Sequence, residues 1–142
     1  FTIGDVVLVS RLIDGSYPDY RKLIPSSFET SATLPRSDLQ NITKVSSLFA
    51  RESAGSVTLE VSEPEKQISI RSVASQLGEN TAKAAADSTG EGAITLNSRY
   101  ILDALNVIAD ANVTVSFNGK LEPCILKSQD KDYLHVIMPL KS

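Results

Sequence analysis

Residues 97–119, NSRYILDALNVIADANVTVSFNG, indicate the architecture most clearly, because they join the pattern of a capped helix to that of a strand. Asn97 or Ser98 can cap the helix, since a short polar side chain accepts a hydrogen bond from the free N–H groups of the first turn. An apolar face follows at helical spacing: Ile101, Leu102, Ala104, Leu105, Ile108 and Ala109. A polar stripe accompanies it: Arg99, Asp103, Asn106 and Asp110.

The strand begins directly after this helix. Val113, Val115 and Phe117 alternate with polar residues, which is typical of a strand buried on one side. Asn118-Gly119 then predicts a tight hairpin turn, because both residue types tolerate positive φ. The unit is expected to be a helix packed on an antiparallel sheet.

An earlier part of the chain repeats this pattern. Ser37 and Gln40 match a capping box, which predicts a helix from Asp38 to about Glu52. Its polar stripe has the spacing of the later one: Gln40, Lys44, Ser47 and Arg51. Its apolar face is also similar, with Ser46 in the place of Leu105: Leu39, Ile42, Val45, Phe49 and Ala50.

Strands flank both helices. In the first half, strands are predicted at 28–34, at Val57, Leu59 and Val61, and, after the turn Glu63-Pro64-Glu65, at Ile68 and Ile70. In the second half they are predicted at 121–126 and 133–138. The chain therefore reads as an α+β fold with an internal duplication, in which a third strand of the first half should lie within 75–92. The Ala-, Ser- and Gly-rich composition there also suits a short helix or loop, so the pattern alone leaves this segment open.

The N-terminal part has a different character. Residues 2–13 are rich in Val, Ile and Leu and predict strand structure broken by Gly4-Asp5. Pro18 excludes regular helix at 17–20. Because Phe1 falls inside a strand pattern, we expect the chain to be a fragment of a longer protein.

Composition limits the possible functions. The 142 residues are 42% hydrophobic, enough for one domain with a real core. A net charge of −3 excludes a uniformly basic surface for nucleic acid. No transmembrane run or signal-peptide pattern is present, which favours a soluble intracellular protein without membrane partners.

The sequence offers little chemistry for catalysis. His135 lies in a predicted strand, where a histidine is more often a surface or cross-strand residue than a catalyst. Cys124 has no second cysteine or nearby histidine for a metal site, and a buried apolar role suits it better. Gly90-Glu91-Gly92 lacks the Lys-Ser/Thr of a phosphate loop. An enzyme, a cofactor or a metal is therefore not expected.

Four segments resemble one known family. LIDGSYPDYRKLIP (12–25), LNSRYILDALNVI (96–108), FNGKLEPCIL (117–126) and YLHVIMPLKS (133–142) are similar, in order and spacing, to the bacterial DNA polymerase III beta sliding clamp. The resemblance implies the DNA-clamp fold, a duplicated β-α-β-β-β unit with two helices packed on antiparallel sheets. It implies that 1–24 are the last strands of the middle clamp domain plus the connector, and that 25–142 are the third domain. It also implies a strand at about 79–88.

The family resemblance further implies a ring around duplex DNA. Such clamps are head-to-tail dimers that tether the polymerase by topology, so an acidic chain is compatible with weak, sequence-independent phosphate contacts. Lys44, Arg51 and Arg99 are the implied DNA-facing residues, although Asp103 and Asp110 share the second stripe. Each could equally belong to an ordinary solvated helix face. We further expect Leu48 and Phe49 to form part of the dimer interface.

The family also binds short peptides in a hydrophobic cleft, typically a Gln followed by Leu and a terminal Leu or Phe. The polymerase III catalytic subunit, the clamp loader, other polymerases and repair proteins compete for it. By position, the resemblance implies twelve cleft residues: Pro18, Lys22, Leu23, Asn97, Tyr100, Leu121, Pro123, Val136, Met138, Pro139, Leu140 and Lys141. Ala54 replaces a bulkier family residue, which would open one wall.

The leading interpretation is a bacterial replication accessory factor of the cytoplasm, associated with the nucleoid. A generic α+β peptide-binding or oligomerising module without a DNA role would fit the cleft residues as well. An enzyme is the third and least favoured class.

Overall fold

The computed structural model describes residues 1–17, 19–75, 78–129 and 133–141. Its two α-helices are α1 (Arg36–Phe49) and α2 (Ser98–Val107). The strands are β1 (Thr2–Ile3), β2 (Val6–Val7), β3 (Thr30–Pro35), β4 (Ser56–Ser62), β5 (Gln67–Ala74), β6 (Gly78–Ala85), β7 (Asp87–Thr89), β8 (Gly92–Asn97), β9 (Asn112–Phe117), β10 (Cys124–Lys127) and β11 (Leu134–Ile137). Short 3₁₀ helices cover Tyr20–Leu23 and Arg51–Ser53.

The sheets confirm the predicted duplication. One sheet has the order β11-β10-β9-β3-β7 and the other β6-β5-β4-β8, with antiparallel neighbours throughout. The two repeats are β3-α1-β4-β5-β6 and β8-α2-β9-β10-β11. Each repeat gives its first strand to the other's sheet, because β3 pairs with β9 and β8 pairs with β4. The strand implied at about 79–88 is β6, followed after Ala86 by β7.

The helices lie antiparallel and side by side. The backbone N–H of Arg36, at the start of α1, donates to Ala111 O beyond the end of α2 at 2.8 Å. Symmetrically, Ser98 N donates to Gly55 O beyond the end of α1, also at 2.8 Å. Between the helices, Gln40 Nε2 donates to Asn106 Oδ1 at 2.8 Å. The repeats are thus related by an approximate two-fold axis between the helices.

The buried positions of α1 and α2 give a different set of equivalent residues from the one predicted by matching their polar stripes. Counted from each helix start, the buried positions coincide as Leu39 with Ile101, Ile42 with Ala104, Thr43 with Leu105, and Ser46 with Ile108. The expected match of Ser46 with Leu105 is therefore wrong by almost one turn. Polar stripes recur every three or four residues, so a shift of one turn satisfies the same spacing.

Several predicted helix positions change accordingly. Val45 is exposed although it was placed on the apolar face, and Ser46 is buried instead, with its hydroxyl donating to Ile70 O at 3.2 Å. α2 ends before Ile108, whose backbone is extended, so Ala109 and Asp110 do not lie on the helix. Arg51 likewise follows α1 and belongs to a 3₁₀ helix.

The two helix starts differ in how they are capped. Asn97 caps α2 as predicted, since its Oδ1 accepts from Arg99 N at 2.9 Å. The predicted capping box at Ser37 and Gln40 is wrong. α1 begins two residues earlier, at Arg36 after Pro35, and Ser37 donates to Asp38 Oδ1 at 3.3 Å. The tertiary bond from Arg36 N to Ala111 O already satisfies the first donor there.

The tight turn predicted at Asn118-Gly119 is also wrong. A six-residue connection, 118–123, joins β9 to β10. The Asn118 side chain contacts the segment before β3: its Oδ1 accepts from Glu29 N at 2.8 Å and its Nδ2 donates to Ser27 O at 3.0 Å. A long-range contact therefore replaces the local turn.

The N-terminal segment forms a small hairpin. β1 and β2 pair across Gly4-Asp5, where Gly4 has a φ of 59° that favours glycine. The predicted strand over 2–13 is thus limited to two short pieces. The apolar side chains of this segment are exposed: Ile3, Val6, Val7, Leu8, Val9, Leu12 and Ile13.

The core lies between the helices and the two sheets. Residues from both repeats form one buried cluster, in which the largest fully buried side chains include Phe117, Leu39, Leu59, Ile101 and Leu105. The predicted alternation holds in β4, where Val57, Leu59 and Val61 are buried. In β9, Val113, Val115 and Phe117 are buried as predicted, but Ser116 is buried as well, so the end of this strand is covered on both faces.

Candidate functional site

A cleft of about 310 Å³ lies where the first turn of α2 meets β11, an edge strand of the five-stranded sheet. Its lining residues are Tyr100, His135, Val136, Ile137 and Met138. Tyr100 and Met138 are each 52% exposed, whereas Ile137 is buried at the base. The surface is mainly apolar, with a phenol and an imidazole as its polar groups.

The topology explains why these residues meet. β11 pairs with β10 in the register Cys124↔Ile137 and Ile125↔Val136. Pro123, just before β10, and Met138, just after β11, therefore lie at the same end of the strand pair. Beyond Met138, the C-terminal segment reaches the other sheet, where Leu140 N donates to Thr95 O in β8 at 2.9 Å. Because β8 leads directly into α2, this bond holds the C-terminal segment close to the first turn that carries Tyr100.

The structure brings three of the predicted cleft residues together, namely Tyr100, Val136 and Met138. Pro139 and Leu140 continue from them and are partly buried, and Lys141 is exposed. Leu121 and Pro123 lie on the 118–123 connection, where Leu121 is 71% exposed. His135 and Ile137 were not predicted to belong to the cleft. The alternation of β11 places their side chains on the opposite face of the sheet from those of Val136 and Met138. Residues from both faces can line one cleft here, because β11 is at the edge of the sheet and has no neighbouring strand on that side among the described strands.

Asn97 has a structural role that the sequence did not indicate in full. Besides capping α2, its Nδ2 donates to Ala54 O at 3.1 Å. Ala54 lies in a left-handed turn with a φ of 53°, and the next residue, Gly55, accepts from Ser98 N. Asn97 therefore fixes the turn after α1 to the start of α2. Its predicted contact with a peptide stays a prediction.

The connector residues lie in the 3₁₀ helix Tyr20–Leu23, whose first turn is capped by Asp19 Oδ1 accepting from Arg21 N at 3.2 Å. Lys22 and Leu23 are exposed on it. Within the described part of the chain they do not line the cleft between α2 and β11. Pro18 lies outside the described residues.

The three basic residues predicted to face DNA are all exposed. Lys44 projects from α1, and Arg51 follows that helix. Arg99, in the first turn of α2, forms an exposed ion pair with Asp103, with 3.9 Å between Nε and Oδ2. A surface pair of this kind contributes little to stability and leaves the guanidinium accessible. The helix layer thus carries the carboxylates Asp38 and Asp103 as well as its exposed basic residues.

The predicted interface residues lie at the end of α1. Leu48 is 51% exposed, and Phe49 is partly buried. Val45 lies one turn before Phe49 and is also exposed, so α1 presents a small apolar surface of its own.

Among the residues that the structure describes, three ionisable groups have altered pKa values, namely Arg71, Glu79 and Cys124, and none of them lines the cleft. Burial raises the pKa of the Cys124 thiol to about 12, so this side chain stays protonated and apolar as predicted. On the four-stranded sheet, a hydrogen bond from Arg71 lowers the pKa of the Glu79 carboxyl. Within the described ranges no three His, Cys, Asp or Glu side chains are grouped as a metal site would need, and no helix there is long and apolar enough to span a membrane.

Comparison with solved structures defines the class of protein. The chain superimposes on the DNA polymerase III beta subunit of Thermotoga maritima with a TM-score of 0.85 and 26% identity, over 93% of this chain and 36% of that one. It superimposes on the DNA polymerase sliding clamp of Bacillus subtilis with a TM-score of 0.82 and 31% identity, over 94% and 36% of the two chains. The fold is that of a sliding-clamp domain.

Sequence comparison identifies the family. The family described as "DNA polymerase III beta subunit, C-terminal domain" matches residues 21–141, and the chain belongs to it. Beta sliding clamps of Staphylococcus epidermidis and Staphylococcus aureus are 30% and 31% identical over the whole chain. The chain spans 38% of the length of these curated relatives.

Proposed function

We propose that the chain is the C-terminal part of a beta sliding clamp, a non-catalytic subunit that keeps a replicative polymerase on DNA. The observation that supports this most directly is the apolar cleft formed by Tyr100, Val136 and Met138 within a domain of this family. We assign 25–142 to the third domain and 1–24 to the end of the middle domain with its connector. The exposed apolar side chains of the N-terminal hairpin support that division, because the rest of a middle domain would cover them.

The cleft would bind a short linear peptide of a polymerase, a clamp loader or a repair protein. An apolar anchor of the peptide would enter between Tyr100 and Met138, since an aromatic ring and a flexible thioether adapt to Leu or Phe side chains. Pro139 would form a rigid wall, and exposed polar groups such as Lys141 would lie at the rim. Lys22 and Leu23 would complete the cleft from the connector.

The whole protein would form a head-to-tail dimeric ring around duplex DNA in the bacterial cytoplasm, at the nucleoid. Lys44, Arg51 and Arg99 would make weak phosphate contacts from the helix layer, and Leu48 and Phe49 would contribute to the subunit interface. The few basic residues, with Asp38 and Asp103 on the same helices, suit weak phosphate contacts rather than tight binding to DNA.

Peptide titration tests this proposal. In the full-length protein, a fluorescent Gln-Leu-Phe peptide should bind saturably, and replacing its Gln by Ala should weaken binding. Tyr100→Ala and Met138→Ala should each weaken binding about tenfold or more, the loss typical of a central interface residue. Fluorescence anisotropy gives the dissociation constants.

Val73→Ala is the matched control, because Val73 is as exposed as Met138 but lies on β5, away from the cleft. It should leave binding unchanged. Equal losses in Val73→Ala and Met138→Ala, or no binding by the full-length protein, would contradict the cleft assignment.

A further inference from the structure

His135 brings an ionisable group into a cleft lined otherwise by hydrocarbon and by the Tyr100 ring. It lies on β11 with Tyr133 two residues before it, and the two side chains share one face of the strand. Tyr133 Oη is 3.4 Å from His135 Nδ1. The imidazole is thus oriented by a second side chain.

This contact distinguishes the two ring nitrogens, because Nδ1 is hydrogen-bonded to Tyr133 and Nε2 is left for a ligand. A phenol hydroxyl can donate or accept, so Tyr133 can satisfy Nδ1 in either protonation state. When Tyr133 donates to Nδ1, the hydrogen of the neutral ring is on Nε2, and in the imidazolium both nitrogens carry one. In these two states Nε2 is a donor that can serve a ligand, whereas in the neutral tautomer with the hydrogen on Nδ1 it is an acceptor.

No ion pair in the described ranges joins the imidazole to a carboxylate. From β10, Leu126 lies opposite His135 in the sheet, and Cys124 farther along stays a neutral thiol. From α2, Tyr100 lines the cleft, and Arg99 and Asp103 pair with each other. Two further charged side chains lie on neighbouring elements: Lys127 of β10, whose Nζ lies over the Phe28 ring, and Asp110, which lines a second pocket together with Tyr133. Among the described residues, Tyr133 is the hydrogen-bonding partner of the imidazole.

We propose that His135 determines specificity in the cleft, by donating from Nε2 to a carboxylate that follows the apolar anchor of the bound peptide. This inference rests on the proposed peptide-binding function and adds a chemical preference to it. Histidine changes charge between about pH 5 and 8. Its protonated form makes the stronger, charge-assisted hydrogen bond, so binding of an acidic peptide should tighten as the pH falls.

The experiment compares three peptides on the full-length protein by fluorescence anisotropy at about pH 5.5 and about pH 8, on either side of the usual histidine range. All contain Gln-Leu-Phe. One continues with Glu and ends in an amide, one continues with Gln and ends in an amide, and one ends at Phe with a free carboxylate. The last separates a terminal carboxylate from a side-chain carboxylate as the acceptor.

We expect at least one carboxylate peptide to bind about fivefold more tightly at the lower pH, the difference between a charge-assisted and a neutral hydrogen bond. The neutral Gln peptide should show no such change. His135→Phe keeps a ring in the cleft but lacks the donor, so it should abolish the pH effect while still binding the Gln peptide. Tyr133→Phe should reduce the pH effect, because the imidazole loses its orientation.

The outcomes separate the inference from the function on which it rests. Binding of all peptides without a pH effect, or a pH effect that persists in His135→Phe, would overturn the role of His135 alone. Failure of every peptide at both pH values would remove the proposed function and this inference together.

Discussion

At the scale of single residues, Asn118 shows how one side chain can join distant parts of the chain. Its amide bonds the backbone on both sides of Phe28, 91 and 89 residues earlier in the sequence. The donor and the acceptor of the amide are used together, which neither aspartate nor leucine could reproduce. The contact connects the segment after the connector to the loop that carries Leu121 and Pro123.

Asn118→Ala should therefore lower the free energy of unfolding by about 1–3 kcal/mol, because two backbone groups lose their partner. Asn118→Asp should also destabilise the fold, since a carboxylate oxygen would face the Ser27 carbonyl. Urea denaturation followed by circular dichroism measures both changes. Asn41→Ala, at an exposed position of α1, should change the stability by less than about 0.5 kcal/mol. A similar loss of stability in Asn118→Ala and Asn41→Ala would show that the two hydrogen bonds of Asn118 do not contribute to stability.

At the scale of helices and strands, patterns that depend on burial were predictable and those that depend on long-range contacts were not. The alternation of β4, the buried apolar positions of β9 and the cap at Asn97 follow from neighbouring residues, and the structure confirms them. The start of α1 and the end of β9 depend instead on Ala111 and on Glu29, which local sequence does not reveal.

The same distinction holds for β6 and for the cleft. The small polar residues of β6 give it a weak strand propensity, but pairing along the whole of β5 supplies the hydrogen bonds that fix it as a strand. Tyr100, Val136 and Met138 were implied by family resemblance rather than by a local pattern. Local sequence does not predict His135 as a cleft residue, because its place in the cleft depends on the packing of α2 against β11.

The cap of α2 gives a prediction at this scale. Asn97→Ala should lower the free energy of unfolding by about 1–2 kcal/mol, since the helix loses its cap and the Ala54 carbonyl loses a donor. Asn97→Asp should recover part of that loss, because a carboxylate can still accept from Arg99 N. Thermal and urea denaturation of the two variants give the difference, and equal stability of both with the wild type would reject this role of Asn97.

At the scale of the whole molecule, the pseudo-two-fold arrangement explains how an acidic chain could serve a DNA-encircling ring. Both helices lie in one layer, which carries Lys44 and Arg99 as well as Asp38 and Asp103, in a chain whose net charge is −3. The acidic residues of the sheets, such as Glu60 and Glu79, belong to other elements. Distribution of charge, rather than its total, decides which surface can approach a phosphate backbone.

The assembly of the ring gives the prediction that belongs to this scale. In the full-length protein, Leu48→Ala combined with Phe49→Ala should shift the dimer to monomer in sedimentation velocity, because two apolar side chains would be removed from the proposed interface. Since Phe49 is partly buried, circular dichroism must show that the variant is folded, and Leu48→Ala alone should weaken the dimer in the same direction. Val107→Ala removes a comparable exposed side chain from α2 and should leave the dimer intact. A folded double variant that sediments as an unchanged dimer would exclude this end of α1 from the interface.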